Sequence, residues 1–150
     1  MHLTSPPQPP ASLMTLAPAE LAEVWQTVVG RQYGLLLEMT PVALPRLDAW
    51  LRTHLRLGRY GADTFPHSLV CGGGCFVGEV LRRTVGGGRW GERGDNLYGS
   101  AWPFLLFSRG EVDHQVNVVA DLVGFVWTGH GLGPTAYVAH QRADLQRLGF

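Results

Sequence analysis

Both cysteines and seven of the 20 glycines of this chain fall between Cys71 and Trp90. The segment reads Cys71-Gly72-Gly73-Gly74-Cys75-Phe76-Val77-Gly78-Glu79, then continues through Arg82-Arg83 to Gly86-Gly87-Gly88-Arg89-Trp90. Leu69, Val70, Gly73, Phe76, Val77, Val80 and Leu81 keep a helical period through the glycines, which predicts a helix starting near Pro66. Each glycine inside a helix costs about 1 kcal/mol relative to alanine. Such a density requires either close approach of a neighbouring backbone or an unusual turn. The tripled glycine at Gly86–Gly88 ends the helix.

The remainder of the chain arranges itself around that helix. Pro18 suits a first helical turn, with Glu20 and Glu23 near its positive end. Leu21, Val24, Trp25 and Val28 share one face, and Gly30 or Gly34 ends the helix. Leu47, Trp50, Leu51 and Leu55 repeat the spacing, predicting a second helix to about Leu57, stopped by Gly58. After the glycine helix, strand-like pieces are expected at Arg89–Glu92, Leu97–Trp102 and Phe104–Phe107, with a turn at Gly94-Asp95-Asn96. A long helix from about Glu111 to Trp127 follows, on the three-to-four spacing of His114, Asn117, Asp121 and Thr128. Pro134 opens a terminal helix through Leu148. The expected class is α+β: N-terminal helices, a short three-stranded antiparallel meander, then C-terminal helices. Residues 1–17 read as a flexible Pro-rich leader, and 18–150 as one domain.

Charge and composition exclude several function classes. Twelve basic residues balance twelve acidic ones, so the electrostatic case for nucleic acid is missing. All twelve basic residues are arginine, and there is no lysine or isoleucine, a pattern of GC-rich, bacterial coding. Two cysteines are too few for a disulfide scaffold, and no basic cluster followed by an apolar run marks a signal peptide. The most apolar stretch, Val116–Trp127, is interrupted by Asn117 and Asp121 and is no membrane span. A cytoplasmic location is expected, with no cofactor.

His67, Cys71, Cys75 and Glu79 recur every four residues, giving a stripe of zinc-competent side chains. A single straight helix cannot wrap four ligands around an ion, so small residues that admit a neighbouring helix are the preferred explanation. Either thiol, Cys71 or Cys75, is a candidate nucleophile, with His54, His114, His130 or His140 brought in from elsewhere as base. Glu79 and Asp121 are acids among apolar helical residues, where two facing carboxylates would share a proton or a metal. A structural ion pair of Glu79 with Arg83, four residues on, is preferred. His130, in the loop Gly129-His130-Gly131-Leu132-Gly133, is the histidine expected to be exposed.

The run Phe76-Val77-Gly78-Glu79-Val80-Leu81-Arg82-Arg83, then Gly87-Gly88-Arg89-Trp90, Trp102-Pro103-Phe104 and Arg109-Gly110-Glu111 resembles a loose group of small uncharacterised bacterial domains. In that group a Gly-Glu helix leads through a Gly-Gly-x-Trp turn into a short meander. The resemblance spans Leu47 to Trp127 and implies an α+β architecture with accessory or immunity-like roles. The expectation is therefore a non-catalytic protein-interaction domain with an unknown protein partner, a second copy of the chain among them. The alternative is a metal- or thiol-dependent enzyme using Cys71, Cys75, Glu79 and a histidine. A third reading is a small-ligand binder.

Overall fold

The structure is a computed structural model that describes residues 5–10 and 15–150. The expected leader, residues 1–17, lies partly outside them, at 1–4 and 11–14. Among these residues five α-helices and three strands follow in order: α1 (Pro18–Tyr33), α2 (Leu44–His54), α3 (His67–Val85), β1 (Gly88–Trp90), β2 (Leu105–Arg109), β3 (Val112–Val116), α4 (Val118–Thr128) and α5 (Pro134–Arg147). The class is α+β, with the antiparallel sheet in the order β1-β2-β3.

Every residue of α3 from Val70 to Leu81 is buried. A helix with no exposed face over three turns belongs in the middle of a core, and α3 packs between α1 on one side and α4 on the other. The glycines make that possible. A Cβ on Gly72 would overlap the Trp25 ring of α1, and one on Gly74 would stand 2.9 Å from the Val119 Cα of α4. Trp25 also donates from its indole N–H to the Leu69 carbonyl at 2.9 Å, fixing α1 along α3. α5 packs on α2 and α3.

The helix ends follow local rules. α1 stops at Tyr33 because Gly34 takes the left-handed conformation (φ 64°) and donates to the Val29 carbonyl. α2 is shorter than expected, ending at His54 rather than about Leu57.

The sheet differs from the sequence expectation in where its strands lie. Leu97–Trp102 forms no strand. The piece expected at Phe104–Phe107 is instead β2, Leu105–Arg109, in the centre of the sheet, and the expected helix from Glu111 to Trp127 divides into β3 and α4. The cause is the turn at Gly110-Glu111. Arg109 pairs with Val112 across a two-residue connection, and Gly110 has φ 61°. Glycine at the first central position is the signature of a type II′ hairpin. Once the chain reverses, β-branched Val112 and Val116 favour the strand, and helix resumes only after Asn117.

Candidate functional site

Glu79 is 0% exposed and is fully occupied. Its Oε2 accepts from Arg82 Nε at 2.6 Å and from Trp90 Nε1 at 2.9 Å. Its Oε1 accepts from Arg82 Nη2 at 2.9 Å and from Arg83 Nη2 at 3.3 Å. Burial acts to raise the pKa of this carboxyl. The hydrogen bonds and charges of Arg82, Trp90 and Arg83 outweigh it and hold the group below the ordinary glutamate range. The preferred partner by sequence, Arg83, is present but secondary: the forked pairing is with Arg82, three residues on. Arg83 also reaches Glu23 of α1 at 3.5 Å.

Trp90 explains the Gly-Glu and Gly-Gly-x-Trp segments together. Gly86 and Gly87, at φ 79° and 75°, turn the chain out of α3 so that β1 runs back beside it. The Trp90 ring then occupies the space where a Gly78 Cβ would stand. Gly78 thus admits the ring, and Glu79 accepts its N–H. The two segments are the halves of one packing contact.

Cys71 and Cys75 are both 0% exposed, and neither is in a disulfide. A hydrogen bond with Cys71, burial, and the nearby Cys71 and Glu79 raise the pKa of Cys75. For Cys75, a raised pKa and no solvent access are the opposite of what activates a thiol. The hydrogen bond with Cys75 lowers the pKa of Cys71 against its burial, but Cys71 is equally closed to solvent. His67 sits at the first position of α3, half-buried, stacked on Trp102 with ring centroids 6.5 Å apart. Twelve residues separate it from Glu79, about 18 Å along a helix axis. Among the described residues no group of three or more His, Cys, Asp or Glu side chains is placed to hold a metal ion. The stripe of His67, Cys71, Cys75 and Glu79 is therefore not gathered into one site.

Asp121 lies elsewhere, away from Glu79. Its Oδ2 accepts from the Tyr137 hydroxyl of α5 at 2.5 Å. Asp121 is exposed, yet partial desolvation of its carboxyl raises its pKa, although the Tyr137 hydrogen bond works to lower it. Asp121, Gly124 and Thr128 share a face of α4 at helical spacing, and Tyr137 and Gln141 face them from α5. Between the two faces is a cleft of about 420 Å³, whose end is formed by His130 and the neighbouring loop. Two residues singled out by sequence, Asp121 and His130, are thus brought to one place. Tyr137 and Gly124 were not foreseen as part of it. The sequence signal for Gly124 is a lone glycine in the middle of a valine-rich helix.

A second cavity, about 490 Å³, lies between α1 and the segment leading into α2, and Leu36, Leu37, Val42 and Arg46 line it. Its frame is pinned: Gln26 donates to the Leu37 carbonyl at 2.6 Å, and Arg46 to the Leu36 carbonyl at 2.9 Å. Leu36 and Val42 are nevertheless 70% and 82% exposed.

No family model matches the chain, and neither a curated protein nor a solved structure matches it. No helix among the described residues is long and apolar enough to cross a membrane.

Proposed function

We propose that this chain is a non-catalytic accessory domain of the bacterial cytoplasm that acts by binding a partner protein. The observation that carries the reading is the commitment of α3. Its carboxylate has four N–H partners, and its two thiols are closed to solvent. A catalytic carboxylate or thiol needs access to substrate, so the same geometry weighs against the metal- or thiol-dependent enzyme. The resemblance to small bacterial domains with accessory or immunity-like roles points the same way.

The surface offered to a partner is the groove beside α1, where Leu36 and Val42 stand out from a hydrogen-bonded frame. An isolated exposed leucine is ordinary. A leucine and a valine exposed together beside a cavity of this size suit an apolar side chain on the partner, flanked by Glu38 and Arg46. Balanced net charge fits recognition by shape more than by long-range steering.

Two measurements test this. The purified chain is expected to turn over no member of a broad panel of esters, phosphates and peptides. Turnover abolished by Glu79→Gln or Cys75→Ser would overturn the reading. A partner captured from the source cells is expected to be retained by the native chain and lost by Val42→Asp with unchanged circular dichroism. Identical capture by both chains would refute the assigned surface.

A further inference from the structure

Helices α4 and α5 are joined by only five residues, Gly129–Gly133, yet their backbones approach closely at few points. Helices joined by so short a connection ordinarily pack against each other. Here the Tyr137–Asp121 hydrogen bond bridges them, and the rest of their facing surfaces line the cleft.

Gly124 leaves empty space on its wall. At Gly72, Gly74 and Gly78 an added Cβ would meet a neighbouring residue, so packing accounts for those glycines. At Gly124 an added Cβ meets nothing within 4 Å, and the backbone has no positive φ. A mid-helix glycine that neither packing nor conformation requires still costs about 1 kcal/mol against alanine. What it provides is room on the wall of the cleft, between Asp121 and Thr128.

The chemistry of the walls selects the occupant. Asp121 is the carboxylate of the cleft, no arginine lines it, and its Oδ1 has no protein donor among the described residues. The negative end of the α4 dipole lies at Thr128, on the same side. The positive end of α5 is already taken: Asp48 of α2 accepts from the Thr135 backbone N–H at 3.0 Å and from the Thr135 hydroxyl. Leu132, 50% exposed, supplies apolar surface beside these groups, while Phe125 is buried behind it with its ring under the Arg52 guanidinium at 5.3 Å. The volume is within the range of clefts that hold small molecules.

We propose that the α4–α5 cleft binds a small organic cation, a protonated amine on a compact apolar body, with the ammonium on Asp121 and the body beside Gly124. This goes beyond the partner-binding reading and uses a different face of the molecule.

The test is a titration of the isotope-labelled full chain with benzylamine, followed by amide chemical shifts. Benzyl alcohol and benzoate serve as neutral and anionic counterparts. Benzylamine is expected to shift amides in 121–132 and 137–141, and to bind at least about tenfold more tightly than either counterpart, the worth of one charge-assisted contact. Asp121→Asn and Gly124→Leu are each expected to weaken it by about the same factor. Asp121→Asn retains an oxygen for Tyr137, so it carries the test if the leucine variant does not fold. The proposal is overturned by shifts elsewhere or none, or by equal binding of benzyl alcohol or benzoate. It is equally overturned by affinity that Asp121→Asn leaves unchanged, or by affinity that a folded Gly124→Leu leaves unchanged. Loss of the partner protein on Val42→Asp is read separately and leaves this result standing.

Discussion

Replacing Glu79 by alanine removes the acceptor at the centre of the α3–β1 contact. Three costs follow. Trp90 Nε1, on a half-buried ring, is left without its acceptor, a loss of about 1–3 kcal/mol. The deleted methylene and carboxylate leave a void worth about 1 kcal/mol more. Arg82, 33% exposed, turns to water at little cost, which keeps the total below that of a fully buried broken pair. The sum is about 3 kcal/mol, and a chain of this size loses about 2–4 °C of Tm per kcal/mol. Urea unfolding followed by tryptophan fluorescence measures it. Glu79→Gln keeps the volume and an oxygen for Trp90, so it should cost about 1–2 kcal/mol. A double-mutant cycle of Glu79→Ala with Trp90→Phe should show coupling of about 1 kcal/mol or more. The pH dependence has a fixed sign. A carboxyl whose folded pKa is depressed contributes stability above its unfolded value, near 4.5, and that stability is lost as pH falls through the folded value. The native chain should therefore lose stability in acid more steeply than Glu79→Gln. An alanine variant within about 0.5 kcal/mol of the native chain, the scatter of ordinary surface substitutions, would refute the structural assignment of Glu79.

Other substitutions separate glycines that packing requires from the one it does not. Gly74→Ala places a Cβ against the α4 backbone and should cost about 1–3 kcal/mol by overpacking. Gly124→Ala meets no atom and should raise stability by about 0.5–1 kcal/mol, measured by the same urea titration. Asp48→Ala uncaps α5 and should cost about 1 kcal/mol, with the loss localised to 134–137 in amide exchange.

Local periodicity made much of this fold legible. The apolar faces of α1 and α2 are written at helical spacing, and α3 reads as a helix through its glycines because Val70, Phe76, Val77 and Leu81 never lose phase. The division of 111–127 was not legible for a physical reason. Val112, Val116, Val119, Val123 and Val126 happen to keep three-to-four spacing across a strand and a helix. A five-residue strand offers too few alternations to compete with that pattern, and the deciding residue was Gly110 in its turn. At the candidate sites, sequence pointed to Glu79, Asp121 and His130 as residues but could not supply their partners. Tyr137 lies 16 residues from Asp121, and Thr135 lies 87 from Asp48. Pairings at that range are set by how helices dock. Trp90 was visible as an aromatic of the exit turn, whereas its hydrogen bond to Glu79 depends on the path through Gly86 and Gly87.

Helix α3 is a closed packing helix and not an open site, and its two thiols report on that directly. Labelling of Cys71 and Cys75 by a soluble disulfide reagent at neutral pH should occur only through unfolding. The opening free energy obtained from labelling should then equal the global value from urea and fall with it in Glu79→Ala. Rapid stoichiometric labelling of either thiol in the native chain, at a rate Glu79→Ala leaves unchanged, would contradict it.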